Sequence, residues 1–258
     1  MSLQLADRPP PSPFCVDRPA VDAGSGGRLE PVVFLPGLLC DQALWRPQID
    51  ALADRAAPMV ADLTLDDDIG AMARRVLAAA PPRFSLAALS MGGYVALEIM
   101  RLSPERVRRL ALIDTSAQPD SAERAARRRV SLAASQRGRF LGVTDRLMGD
   151  LVHPSRTRGP IADSLRAMAG RVGGGAFHRQ QTAILNRPDA RGVLPTINVP
   201  TLIAVGEQDH VTPPCVAEEM HRLIRGSRLA VFKDCGHLPA LELPDETSAL
   251  LRDWLDDL

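Results

Sequence analysis

Lysine is almost missing from this sequence: of its 258 residues only Lys233 is one, and arginine carries nearly all the positive charge. A charge excess of either sign is missing too, since basic and acidic side chains number 31 each. Binders of nucleic acid ordinarily carry surplus basic charge to neutralise phosphates, so no nucleic-acid partner is expected. No apolar run reaches the roughly 18 residues that a membrane span needs, so no membrane association is expected. The first 27 residues also lack the apolar stretch of a secretory signal and carry Asp7, Arg8 and a proline-rich tract instead. Cysteines are few, and the spacing of Cys15, Cys40, Cys215 and Cys235 fits neither a zinc site nor a disulfide framework. The expectation is a cytoplasmic protein with free thiols. His153, His178 and His221 are scattered without metal-ligand spacing, so neither metal nor cofactor is expected.

What is present is a core. Apolar residues make up 45% of the chain, enough for one α/β domain with an insertion. Residues 1–28, rich in Pro, Gly and Ser, read as a loose arm. Short apolar runs at 32–35, 59–61, 84–89, 107–113, 201–205 and 229–232 read as strands. Helical spacing at 42–53, 66–79, 91–102, 216–224 and 245–255 alternates with them. Such alternation predicts a mostly parallel sheet covered by helices on both faces. It breaks between 118 and 195, where helical patterns occur without a good strand. The expected organisation is an α/β core over 29–117 and 196–258, with a helical cap over 118–195.

Ala88-Leu89-Ser90-Met91-Gly92-Gly93 carries the chemistry. A serine with nothing else between a strand and a helix sits on a very sharp turn that exposes its hydroxyl. Crowding there demands small residues two before and two after it, which Ala88 and Gly92 provide. The plain alternative is a serine that caps an ordinary helix. A serine hydroxyl needs a base, and His237 in Gly236-His237-Leu238-Pro239 follows the last strand, where a loop can reach the sheet's carboxyl edge. The base needs an acid, and Asp209 follows the strand at 201–205 through Gly206-Glu207-Gln208. Asp114, after the strand at 107–113, is a rival at the same edge and is expected to be structural. Backbone N–H groups of Met91 and of Leu38 in Pro36-Gly37-Leu38-Leu39 are the candidate oxyanion donors, with Leu39 as the fallback. Leu39, Val211 and Leu238 are expected to line an apolar substrate pocket.

These motifs, with Glu242, Pro244 and Glu246 downstream, resemble the α/β-hydrolase superfamily from about Val32 to the C-terminus. Within it the chain looks most like small cap-bearing serine esterases and enol-lactone hydrolases. The resemblance implies Ser90, Asp209 and His237 as the triad and Leu38 and Met91 as oxyanion donors. It implies hydrolysis of small or medium carboxylic esters or lactones by a monomer or homodimer. Two departures stand out. Pro36-Gly37 replaces a frequent His-Gly, and residues 1–28 offer little alternation for the antiparallel hairpin that often opens the family's sheet.

Other residues are read more plainly. His210 reads as an exposed loop residue, and Arg124, Arg127, Arg128 and Arg129 as a solvated helix face, with a docking patch for an acidic partner as the sharper reading. Arg187 and Asp189 read as ties between cap and core, and Trp45 with Asp41 as a brace for the helix after the oxyanion loop. Acyl transfer, carbon–carbon bond hydrolysis and perhydrolysis would use the same triad. A binding protein could retain the triad without turnover.

Overall fold

Six short apolar runs pair side by side: β1 (Glu30–Leu35), β2 (Ala56–Val60), β3 (Phe84–Leu89), β4 (Val107–Ile113), β5 (Thr201–Gly206) and β6 (Arg228–Phe232). The computed structural model describes residues 29–138 and 140–256, so the expected arm over 1–28, with Cys15, lies outside the described residues. The sheet order is β2-β1-β3-β4-β5-β6, and every pairing is parallel. Burial on both faces explains why β3, FSLAAL, is apolar almost throughout rather than alternating. Alternate residues feed opposite cores: Val33 and Leu35 of β1 join one apolar cluster, Val32 and Phe34 the other.

Helices cover both faces. They are α1 (Arg46–Ala51), α2 (Ile69–Ala79), α3 (Met91–Leu102), α4 (Ala122–Gln136), α5 (Asp145–Leu151), α6 (Pro160–Leu185), α7 (Pro214–Leu223), α8 (Pro239–Glu242) and α9 (Pro244–Asp256). Their bounds differ from the sequence expectation where local chemistry intervenes. The helix expected over 42–53 becomes a 3-10 turn, Gln42–Trp45, followed by α1, because Pro47 has no N–H to continue the first hydrogen-bond ladder. The helix expected from 66 begins at Ile69, because the Asp68 carboxylate accepts the Ala71 N–H at 2.8 Å and caps it there. The weak strand expected at 59–61 runs from Ala56 instead. It is an edge strand, paired with β1 alone, and so tolerates Pro58. Between β4 and β5 the chain forms α4, α5 and α6, the last kinked at Gly173.

The strand order positions the site. From β1 the chain moves outward to β2, then returns to build β3 on the other side of β1. Loops leaving β1 and β3 therefore diverge at their carboxyl ends and open a crevice, the place where open parallel sheets bind ligands. Among the described residues no helix is long and apolar enough to cross a membrane.

Candidate active site

Ser90 is the single residue between β3 and α3, and its backbone sits at φ 54°, ψ −117°, a region that L-residues rarely adopt. Its N–H is held by Ile113 O of β4 at 3.0 Å. The demand for small neighbours is met by contact. A Cβ on Gly92 would lie 2.4 Å from Leu35 O of β1, and one on Gly93 would lie 2.2 Å from Thr115 Oγ1. The hydroxyl makes no helix cap, which removes the plain alternative.

It faces His237 instead. With the proton assigned to Nδ1, His237 donates to Asp209 Oδ2 at 2.8 Å, and Nε2 accepts from Ser90 Oγ at 2.8 Å. His237 and Asp209 are both buried. Burial works against the charge of Asp209. Attraction to the His237 imidazole and hydrogen bonds from His237, Asp114 and Thr212 outweigh it and hold the carboxyl well below the usual range. Val211 N–H at 2.7 Å, Thr212 N–H at 2.9 Å and Thr212 Oγ1 at 2.7 Å fix its orientation.

Asp114 stands behind this pair. Its Oδ1 accepts the Gly206 N–H at 2.8 Å, while Oδ2 is buried and finds no donor. Burial, and then the Asp209 carboxylate beside it, push the Asp114 carboxyl well above its ordinary value. Protonated, it donates to Asp209, which satisfies both carboxyls. Ligand atoms of Asp114, Asp209 and His237 lie within 4.8 Å of one another, a reach that would suit a metal. The same atoms are already engaged in the His237–Asp209 hydrogen bond, so the cluster fits a hydrogen-bonded support of the His237 ring better.

Two backbone donors face the site's other side. Met91, the first residue of α3, has no acceptor within its helix, and the helix dipole adds positive potential there. Leu39 N–H donates to Gln180 Oε1 at 3.1 Å. That bond takes Leu39 out as an oxyanion donor, while Leu38 N–H has no acceptor among the described residues. Gln180, fully buried, also donates to Leu63 O at 3.1 Å and so braces the loop. Nothing in the sequence pattern singled it out. Glu242 holds the histidine loop: Oε1 accepts from Gly236 N at 3.0 Å and Leu238 N at 3.3 Å, and Oε2 from His153 N at 2.8 Å. His237 N–H itself donates to Leu151 O of α5 at 2.9 Å. Cysteine is no rival nucleophile here. Burial, then Asp41, pushes the Cys40 thiol up to about 12, and burial, then Glu242, raises Cys235.

Ser90 and His237 open into a cavity of about 430 Å³ that Leu38, Leu39, Val211 and Leu238 also line. Arg124 and Arg128 line it as well, so the arginines of α4 are not all on a solvated face. Arg128 bonds Asp120 at 2.7 Å and also Gln181. Arg187 does tie insertion to core, through its guanidinium 4.2 Å from the ring centroid of Tyr94 on α3. It is held within the insertion by Gln118 O at 2.9 Å and Asp120 at 2.9 Å, whereas Asp189 is exposed and pairs with Arg191. Asp41 caps the turn by accepting from Ala43 N at 2.9 Å, and Trp45 packs on Phe34 at 5.2 Å. His210 is exposed.

Residues 4–250 match the model of the alpha/beta hydrolase family, and the chain belongs to that family. It is similar to the pimeloyl-(acyl-carrier protein) methyl ester esterase of Neisseria meningitidis serogroup C, at 32% identity over 73% of this chain and 76% of the relative. The protein of the same name from Nitrosomonas europaea is 25% identical over 83% of this chain and 91% of its own. Among solved structures, a thermophilic esterase from Thermogutta terrifontis superposes with a TM-score of 0.80 at 29% identity, covering 90% of each chain. The enol-lactonase from Burkholderia xenovorans LB400 shares the fold, with a TM-score of 0.80 at 22% identity over 90% and 93% of the two chains. Fold, site and relatives together define a carboxylic ester hydrolase.

Two predictions separate the aspartates. Asp209→Asn should lower ester turnover by about 10⁴, because an amide can hold the wrong imidazole tautomer. Asp114→Asn should stay within about tenfold of wild type, since its amide can still donate to Asp209 and accept from Gly206. Steady-state kinetics on both variants checks this, and the reverse ranking would make Asp114 the acid. The second concerns stability. The folded state binds the Asp114 proton more tightly than the unfolded chain does, so stability is lost as pH rises above about 4, the unfolded value. Asparagine has no such proton. The melting temperature of Asp114→Asn relative to wild type should climb from about pH 4 to about pH 8, by about 2–4 °C per kcal/mol relieved. A difference independent of pH in thermal denaturation would show that Asp114 does not hold the proton.

Proposed function

We propose that the chain cleaves small to medium carboxylic esters or lactones through an acyl-enzyme on Ser90. The observation that carries this is the unbroken run of hydrogen bonds from Ser90 Oγ through His237 to Asp209, each 2.8 Å, at the floor of a largely apolar cavity. In this reading Ser90 Oγ attacks the carbonyl carbon while His237 Nε2 takes its proton. The tetrahedral oxyanion rests on the N–H groups of Leu38 and Met91. His237 then protonates the leaving alcohol. Water, deprotonated by the same imidazole, attacks the acyl-enzyme, and the acid departs as the proton returns to Ser90. Asp209 keeps the imidazole in the required tautomer throughout. Leu39, Val211 and Leu238 bound the acyl group, and the helices over 118–195 act as a cap. The cytoplasm is the compartment that suits the free Cys40, Cys215 and Cys235. A monomer or homodimer suffices, because Ser90, His237 and Asp209 all come from one chain.

A second reading concerns how the ester arrives. Arg124 and Arg146 line the cavity: Arg124 Nε stands 4.0 Å from Asp120 Oδ1, and the Arg146 side chain has no hydrogen-bond or ion-pair partner among the described residues. Arg129 is exposed on the same helix as Arg124, α4. The relatives' names specify an ester borne on acyl-carrier protein. An acyl chain delivered by an acidic carrier therefore suits this chain too.

Nitrophenyl esters test the first reading. Ser90→Ala should lose about 10⁴- to 10⁶-fold in turnover while keeping its fold by circular dichroism, and near-normal turnover would end the triad assignment. The second is read from salt. With a methyl ester on an acidic carrier, kcat/KM should fall as ionic strength rises, and it should hold steady with the free methyl ester. Equal salt dependence of the two would remove the carrier.

A further inference from the structure

Tyr94, the only tyrosine in the chain, lies one helical turn beyond Ser90 on α3 and is 7% exposed. It lines the cavity that holds Ser90, and it also lines a second cavity of about 330 Å³. Leu97, Ala117 and Val193 give that second space an apolar wall, Glu98, Arg101 and Asp189 also line it, and neither Ser90 nor His237 borders it. Arg187 lies across the ring, its guanidinium carbon 4.2 Å from the ring centroid. A cation over an aromatic face attracts it, and Arg187 is itself immobilised. It donates to Ile184 O at 2.8 Å, to Gln118 O at 2.9 Å and to Asp120 Oδ1 at 2.9 Å, and it is buried. The Asp120 side chain, 2% exposed, is in turn bound by Arg128 from the cap side. The ring therefore cannot swing aside without breaking a buried ion pair and several charge-assisted hydrogen bonds. Its hydroxyl bonds to no described residue, so the network clamps the ring face rather than the oxygen.

We propose that Tyr94 is the specificity-determining partition of this site: it ends the acyl cavity and closes off a second apolar cavity that would otherwise admit longer chains. This rests on the ester-hydrolase reading and adds to it a substrate class, straight acyl chains short enough to stop at the ring. Arg187 acts as a positioning residue that keeps the partition shut. A methylene that passes the ring moves from water into an apolar space, and each one so buried is worth about fourfold in kcat/KM.

The test is a chain-length series of nitrophenyl esters from acetate to dodecanoate. Tyr94→Ala should move the optimum up by about two carbons or more, with about fourfold gained per added methylene. Tyr94→Phe, which keeps the ring, should keep the wild-type optimum. Val193→Trp, which fills the second cavity, should return the optimum of Tyr94→Ala toward that of wild type. An unmoved optimum in folded Tyr94→Ala overturns the partition, and a moved optimum that Val193→Trp leaves in place overturns the role of the second cavity. If Tyr94→Ala does not fold, Tyr94→Leu carries the same expectation and the same refutation. If wild type cleaves none of the esters, the hydrolase reading falls separately. Calorimetric binding of fatty acids then decides the partition: Tyr94→Leu must accept longer acids than wild type, and identical length limits overturn it.

Discussion

A serine at φ 54° cannot be held by its own short turn. Such a backbone costs about 1–3 kcal/mol and persists only where its surroundings leave no alternative. Here the surroundings are two close contacts between α3 and the sheet. Gly92 lies against the Leu35 carbonyl of β1, and Gly93 lies against the Thr115 side chain just after β4. α3 can approach that closely only because neither residue has a Cβ. The approach places the helix N-terminus, the Met91 N–H and the serine hydroxyl together above the point where the strand order reverses. The buried apolar residues of α3, from Met91 through Met100, supply the stabilisation that offsets the strain.

The other half of the site depends on backbone that comes from elsewhere. The end of β5 and the histidine loop touch so closely that a Cβ on Gly206 would fall 1.9 Å from Gly236 O. Glu242 gathers three backbone N–H groups, from Gly236, Leu238 and His153, so one buried carboxylate binds the histidine loop to the insertion. Gln180 does the corresponding work for the loop after β1, through Leu39 N and Leu63 O. The inserted helices are therefore part of what sets the positions of His237 and Leu38, besides bounding the space above them.

Electrostatics divides two aspartates that look alike in sequence. Both follow strands at the same sheet edge, and both end up buried. Asp209 collects donors from Val211, Thr212 and His237, and these favour its charge. Asp114 is buried beside the Asp209 carboxylate, and burial first, then that neighbour, favour its proton against the single Gly206 N–H that favours its charge. The difference comes from the groups that folding gathers around each aspartate, which strand spacing does not encode.

Much of the core was legible because it rests on local rules. β3, β4 and α3 fall on the residues that apolar runs and helical spacing marked, and Ser90 stands where a strand gives way to a helix with only small neighbours tolerated. Their patterns are set within a few residues along the chain. Boundaries shifted where a single side chain intervened, as at Pro47 and Asp68. Contacts between elements distant along the chain were beyond reach. Gln180 reaching Leu39, Arg187 clamping Tyr94, and α4 arginines turning into the cavity all depend on how the insertion lies on the sheet. The sequence by itself determined the sheet and marked Ser90 and His237 as candidate nucleophile and base, because periodicity and steric demand are local. Only tertiary structure decided which aspartate favours its charge, which backbone N–H is free and which side chains line the cavity at Ser90, because each follows from groups brought together by folding.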